Sequence, residues 1–261
     1  MILADDCSPD DTKAVFLNAK SAHSNTLVFH FDSNKEYSGS LNAILSHSTG
    51  AFTIFVSNDI LITPSYVREL LGVAKQDDRN GIVRGCSNFV DNNLATHNVA
   101  FPGSLTVWRK LAEFADDLAA RNNGRSVPDP FLVGDAFLVR REVIDRIGTL
   151  DPFFFGYFAD TDYGIRARIA GFNLVLAHGA YAYHKRDANL DYLPANLRQE
   201  KLYRRWERVY ENWARFKIKY GLPVDLRRPD GDKFEWDRFC EAQYDAARHH
   251  VPSQDYAQYR L

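Results

Sequence analysis

The sequence lacks the features that would tie it to a membrane span, a disulfide scaffold or a nucleic acid. No run of 18 apolar residues occurs in its 261 residues, so no bilayer-crossing helix is encoded. The start, MILADDCSPDD, turns acidic too early for a signal peptide. Cys7, Cys86 and Cys240 are the only cysteines. They are far apart with no C-x-x-C step, which implies neither a disulfide framework nor a zinc site and points to a reducing compartment. A formal net charge of −2 gives phosphate backbones no general attraction, so any anionic ligand must be held locally. The expectation is a soluble, cytoplasmic chain with no nucleic-acid partner, able to sit at the inner face of a membrane.

What is present is an ordinary globular composition, 45% apolar and 25% charged, long enough for one large α/β domain or two small ones. MILADD ends a short strand, CSPDDT opens a helix running to about Ala22, and NTLVFHF (25–31) is a second strand. SGSLNAILSHS gives a short helix. AFTIFVSNDI is almost continuously apolar and stops at Ser57-Asn58-Asp59. That is the pattern of a central parallel strand buried on both faces, with polar residues at its carboxyl end. Pro64 starts the next helix and GIVRGCSNFV returns to strand. Strands alternating with helices of ten or so residues predict a sheet built from βαβ units.

Residues 92–132 are poorly periodic and predict a loop over the sheet. PFLVGDAFLVRREVIDRIG reads as a strand and a helix ended by Gly148. Leu202, Trp206, Val209, Trp213, Phe216 and Tyr220 advance by three or four, which predicts one long amphipathic helix. The tail after Pro223 is polar, with a helix expected near 232–249. The division is therefore 1–222 as the main domain and 223–261 as a helical tail.

Several residues in this frame carry chemistry. Asp59 stands where open α/β sheets place ligands and could bind a hard divalent cation, or simply cap the turn before Pro64. Asp5 and Asp6 follow the first strand and could accept hydrogen bonds from a nucleobase or ribose, or belong to an acidic loop. Asp160 and Asp162 precede the helix pattern YGIRARIAG. If Asp162 caps that helix, Asp160 is left at the lip as a base, weakened because a helix N-terminus lowers a carboxylate pKa. His184 ends AYAYH, where Ala180 and Ala182 on its own face leave room for a ligand; structural and ligating roles are both open. The basic helix with Trp206 and Trp213 could lie on an anionic membrane, or dock its aromatics on the sheet.

Taken in order, these segments resemble the family 2 glycosyltransferases of GT-A fold, particularly the rhamnosyltransferase-like branch. ILADDCSPDDT is similar to the family's D-D-x-S strand, and NKEYSGSLNAIL to its N-x-G-[FY] helix entry. FTIFVSNDILITP is similar to the strand that ends in a D-x-D-type metal motif. VGDAFLVRREVIDRIGTLDPFFFGYFADTDYGIRARIAG, closed by His184, is similar to the long R-R…F-F…E-D-x-D…R run. The resemblance covers about residues 2–222.

It implies a GT-A α/β fold, a mixed, mostly parallel sheet flanked by helices, and a hexosyltransferase-type activity on a nucleotide-diphosphate sugar. Asp6 would contact the base with Asp5 supporting, Asp59 would bind Mn²⁺ or Mg²⁺ with Asn58 adjacent, and His184 would join the metal or diphosphate. Asp160 would be the general base of an inverting reaction. Asp162 and Arg166 would shape the acceptor side and the start of the helix, placing Arg166 among the cofactor-binding residues. The acceptor would be a saccharide or a lipid-linked saccharide.

The chain departs from the pattern in three places. Ala159 stands where Glu is usual and Glu36 where a turn glycine is common, and the strand and helix that normally open the family's pattern are absent. The last departure supports an alternative, a catalytically inactive donor-binding or scaffolding module. A third class, a hydrolase with Asp5 or Asp6 as nucleophile, needs a lysine and a second acidic loop that the sequence does not place.

Overall fold

Two sheets carry the chain in the computed structural model, which describes residues 1–90, 96–103, 108–185, 193–228 and 235–261. In the first sheet β1 (Ile2–Asp5) runs parallel to β2 (Leu27–His30), the two being joined by α1 (Thr12–Ala22). Next come α2 (Glu36–His47), β3 (Phe52–Val56), β4 (Ile60–Ile62), α3 (Pro64–Ala74) and β5 (Asn80–Ser87). They are followed by α4 (Trp108–Asn122), β6 (Ser126–Pro128), β7 (Ala136–Arg140), α5 (Arg141–Ile147), α6 (Ala159–Ile169) and β8 (Asn173–His184). The long α7 (Ala195–Tyr220) and the single turn α8 (Ala246–His249) complete the series.

The second sheet has the order β3-β7-β5-β8-β4, with β6 also paired to β8. β5 and β8 are parallel, and the other pairs of this sheet are antiparallel. The sheet is therefore mixed, as expected, but antiparallel pairing dominates it because β7 runs between β3 and β5 against both.

β3 differs from the expectation of a central parallel strand. Among the described residues it pairs only with β7, antiparallel, at the edge of the sheet. Its apolar run has another cause, since both faces are covered. Phe55 packs on Tyr37 and Phe137, while Phe52 lies beneath the Arg140 guanidinium. Face coverage sets hydrophobicity; position in the sheet order does not.

The middle segment also differs. Where a loop was expected, α4 buries Leu111, Ala115, Leu118 and Ala119 along one face. Two of these four are alanines, so the helical period is present with little hydrophobic contrast.

Among its described residues the tail holds no single helix spanning 235–249. Its described part has a 3₁₀ turn at Trp236–Phe239 and the short α8. Trp236 and Phe239 pack against Phe216, Tyr256 meets Phe31, and Arg260 bridges to Phe29 of β2. The tail also dictates Gly148. That residue has φ +72°, and a Cβ there would run into the Val251 carbonyl, which accepts from the Thr149 N–H at 2.9 Å.

Candidate active site

Strand register builds the first half of the site. β4 pairs antiparallel with β8 so that Ile60 lies opposite His184, and the Lys185 N–H donates to the Asp59 carbonyl at 2.8 Å. Asp59, one residue before β4, is thereby set beside the last residue of β8. Their side chains meet, with His184 Nε2 3.2 Å from Asp59 Oδ2. Asn88 fixes the His184 backbone, donating to its carbonyl at 3.0 Å and accepting from its N–H at 2.7 Å. His184 Nδ1 lies 3.3 Å from the Phe89 carbonyl and 3.9 Å from Asp135 Oδ2. Burial opposes a charged imidazole, but the Asp59 hydrogen bond and the Asp59 and Asp135 charges outweigh it and raise the His184 pKa. Asn58 is exposed beside Asp59.

The second half forms where α6 begins. Phe158, at φ +65°, is the residue before the first helical turn, and neither aspartate caps the helix. Asp160 lies within the first turn. Its Oδ2 accepts from the Gly134 N–H at 2.7 Å and its Oδ1 from the Thr161 N–H at 2.8 Å. The expected lowering of its pKa is reversed. Burial pushes it up to about 6 against those two N–H donors, and the Asp135 charge adds to the rise. Desolvation here exceeds what the helix terminus returns.

Gly134 cannot carry a side chain, because a Cβ would lie 2.0 Å from the Tyr37 hydroxyl and 2.9 Å from Asp160 Cβ. Tyr37 in turn donates to the Gly134 carbonyl at 2.9 Å. The loop into α6 is held from two sides. Ser38 of α2 donates to the Phe154 carbonyl at 3.0 Å, and Asn212 of α7 accepts from the Phe155 N–H at 2.7 Å.

Asp135 joins the halves, and sequence reasoning missed it. It follows the glycine that holds Asp160, and its carboxylate faces His184. Its Oδ1 accepts from Arg84 Nη2 at 2.9 Å; Arg84 is 2% exposed in a strand buried along its whole length. The available signal was an arginine inside GIVRGCS, since a buried cation requires an acid.

The remaining predicted residues are placed differently. Asp162 is fully buried, bonded to Arg166 Nε at 2.7 Å, the Tyr220 hydroxyl at 2.8 Å and Lys219 Nζ at 2.5 Å. Burial opposes its charge, but Arg166 and Lys219 outweigh this and lower its pKa. Arg166 lies in the interior rather than at the surface of the site. It is 1% exposed, and beyond Asp162 its guanidinium donates to the Ile147 and Thr149 carbonyls at 2.9 Å each. It ties α6 to the end of α5. Ala159 is fully buried, a place where a charged side chain would be costly without a partner.

Asp5 and Asp6 lie at the carboxyl end of β1, on the two-stranded sheet. Asp5 is 2% exposed, with Oδ2 2.7 Å from His30 Nδ1 and Oδ1 accepting from the Ser8 N–H at 3.1 Å. Its side chain is fully buried, so it presents no face to a substrate for nucleophilic attack. Asp6 Oδ1 accepts from the Lys35 N–H at 2.6 Å; burial raises its pKa against that bond. The adjoining Glu36 has φ +61°, the left-handed backbone that glycine adopts readily, and it pairs with Arg208.

A groove of about 490 Å³ lies at the far end of β5 and β8, lined by Asn80, Asn173, Asp129 and Arg168, away from this chemistry. The donor set at Asp59 and His184 suits a divalent cation, with one carboxylate oxygen and one imidazole nitrogen within 3.2 Å. Among the described residues no three His, Cys, Asp or Glu side chains form a complete cage. These two ligands would need ligand oxygens and water to complete the coordination.

The family model described as "Glycosyl transferase family 2" matches residues 1–148. No curated protein sequence matches the chain. Solved structures that share its fold include two glycosyltransferase complexes. One is the mannosyltransferase PcManGT from Pyrobaculum calidifontis in complex with GDP-Man and Mn²⁺. It has TM-score 0.52 and 16% identity, over 90% of this chain and 58% of that one. The other is GalNAc-T7 with UDP, GalNAc and Mn²⁺, with TM-score 0.51 and 12% identity, over 70% of this chain and 37% of that one. The chain thus spans less than two thirds of either structure. The family match extends over more than half of the sequence and the neighbours are GT-A glycosyltransferases: the chain belongs to glycosyl transferase family 2 and has the GT-A fold.

Proposed function

We propose that the chain is an inverting glycosyltransferase that moves a sugar from a nucleotide-diphosphate donor to a hydroxyl of a saccharide or lipid-linked acceptor. The observation that carries this reading is Asp160, a carboxylate held by two N–H donors with its pKa pushed up to about 6. A general base works best with a pKa near the working pH. Asp160 is ionised at neutral pH and basic enough to take a proton in the transition state.

The steps follow from the chain's own residues. The Gly134 and Thr161 N–H groups fix both carboxylate oxygens, so an acceptor hydroxyl meets one oriented oxygen lone pair. As that hydroxyl attacks the anomeric carbon, Asp160 accepts its proton. The bond to the diphosphate breaks on the opposite face, which inverts the centre without a covalent enzyme intermediate. Asp59 and His184 would hold Mn²⁺ or Mg²⁺, which supplies positive charge for the leaving diphosphate. Asp6, supported by Asp5, together with Asn58 would take the nucleotide end. In this reading residues 1–222 form the transferase unit, and 223–261 are a strap laid upon it.

One feature favours a second reading, a donor-binding module without transfer. The sheet bearing Asp5 and Asp6 is not hydrogen-bonded to the sheet bearing Asp59 and His184 among the described residues. Calorimetric titration with UDP, GDP and dTDP, with and without Mn²⁺, tests the donor site. Metal-dependent binding of one nucleotide, abolished by Asp59→Ala, is expected; absence of binding by all three overturns both readings. Release of nucleotide from the matching sugar donor, lost in Asp160→Ala, then separates transferase from binding module.

A further inference from the structure

Helix α7 has two unlike halves. Its buried residues, Val209, Asn212, Trp213 and Phe216, all lie in the C-terminal part, and none is buried from Ala195 to Arg208. Of the two tryptophans on this helix, only Trp213 docks in the core. Tyr203 is 67% exposed, Trp206 51% and Tyr210 62%. Their spacing of three and four residues aligns them on one stripe, with the Trp206 and Tyr210 rings 6.4 Å apart.

Charge identifies what covers this stripe. From Ala195 to Arg208 the helix carries five basic side chains against Glu200 and Glu207, a net +3 in a chain of net −2. A second copy meeting the same stripe would bring +3 against +3. An anionic bilayer offers both things the stripe needs, an interface for amphipathic rings and negative headgroups for the basic flank. We propose that Tyr203, Trp206 and Tyr210 dock the protein on an anionic lipid surface.

The docking has a consequence for the site. Asn212 bonds the backbone of Phe155, five residues before Asp160, and Arg208 pairs with Glu36 beside the Asp6 loop. A lipid-bound α7 therefore carries the acceptor lip to the membrane, and the acceptor class becomes a saccharide on a lipid. That last step rests on the glycosyl-transfer reading; the docking itself does not.

The test is flotation of the purified chain with vesicles of phosphatidylcholine alone or mixed with phosphatidylglycerol. Binding to the anionic vesicles is expected to be at least about tenfold tighter and to weaken with salt. The triple variant Tyr203→Ser, Trp206→Ser, Tyr210→Ser should lose at least about tenfold of it, while keeping the wild-type thermal unfolding and Mn²⁺-dependent nucleotide binding. Flotation with neither vesicle, or equal flotation of the triple variant, overturns the proposal. So does a wild-type dimer by light scattering that the triple variant converts to monomer, which assigns the stripe to a second copy. Vesicle binding without nucleotide binding leaves the docking standing and overturns only the acceptor assignment.

Discussion

Asp160→Asn separates a catalytic carboxylate from a structural one because its effect on stability should change sign with pH. Burial raises the Asp160 pKa from its ordinary 3.8 to about 6. A shift of about two units corresponds to about 3 kcal/mol. The folded value lies above the unfolded one, so the folded state holds this proton more tightly than the unfolded chain does. Stability from this source is complete below about pH 4 and is lost as pH rises through about 6.

The asparagine variant escapes that loss but forfeits one hydrogen bond, because its amide offers one oxygen to the Gly134 and Thr161 N–H groups. That deficit is about 1–2 kcal/mol. At pH 7.5 the variant should therefore be about 1 kcal/mol more stable than wild type, and near pH 4 less stable by a similar amount. Urea unfolding followed by far-UV circular dichroism at both pH values gives the comparison. In parallel, the transfer rate should fall about 10²- to 10⁴-fold. A variant that is destabilised equally at both pH values, or that keeps its transfer rate, refutes the assignment of Asp160.

Three further outcomes follow from the same geometry. The pH profile of kcat/KM should rise through about pH 6 as Asp160 ionises; a profile flat from pH 5 to 8 contradicts the base assignment. Asp135→Ala leaves the Arg84 guanidinium buried without its acid and should destabilise by about 3 kcal/mol, measured by urea unfolding, whereas Asp135→Asn should lose less. Gly134→Ala should displace Tyr37 or Asp160 and lower activity, and adding Tyr37→Phe should restore part of it by removing the hydroxyl in closest contact. A double variant no better than Gly134→Ala alone places the conflict at Asp160 instead.

The parts legible in the sequence were those fixed by local chemistry. Pro64 starts α3, behind a Thr63 cap, and Gly148 ends α5, each dictated within a few residues. Glu36 stands where glycine was expected, and its φ of +61° shows why glycine suits that position. The resemblance implied a shared metal or diphosphate site for Asp59 and His184, and their side chains meet at 3.2 Å.

What depends on distant partners was not legible. The roles of Asp160 and Asp162 turn on which neighbour each meets. Asp160 finds backbone N–H groups under desolvation, and Asp162 finds Arg166, Lys219 and Tyr220 in the interior. The resemblance set Arg166 among the cofactor-binding residues, and nothing local in the sequence reveals that carbonyls of residues 147 and 149 enclose it. α4 was hidden by its alanines, and Asp135 by the fact that its partner lies 51 residues away.

The strap formed by the last residues bears on the order in which the chain can fold. Arg260 bridges to Phe29, Leu261 donates to the Val28 carbonyl, and Lys20 reaches the Leu261 carbonyl, contacts between residues about 230 apart or more. Closing so long a loop costs entropy that local structure cannot recover early. During vectorial synthesis β1 and β2 emerge well before residues 260 and 261, so the outer edge of β2 is covered only when those two arrive. Until then the ribosome-bound chain presents an open strand edge to whatever chaperone or aggregating partner is nearby.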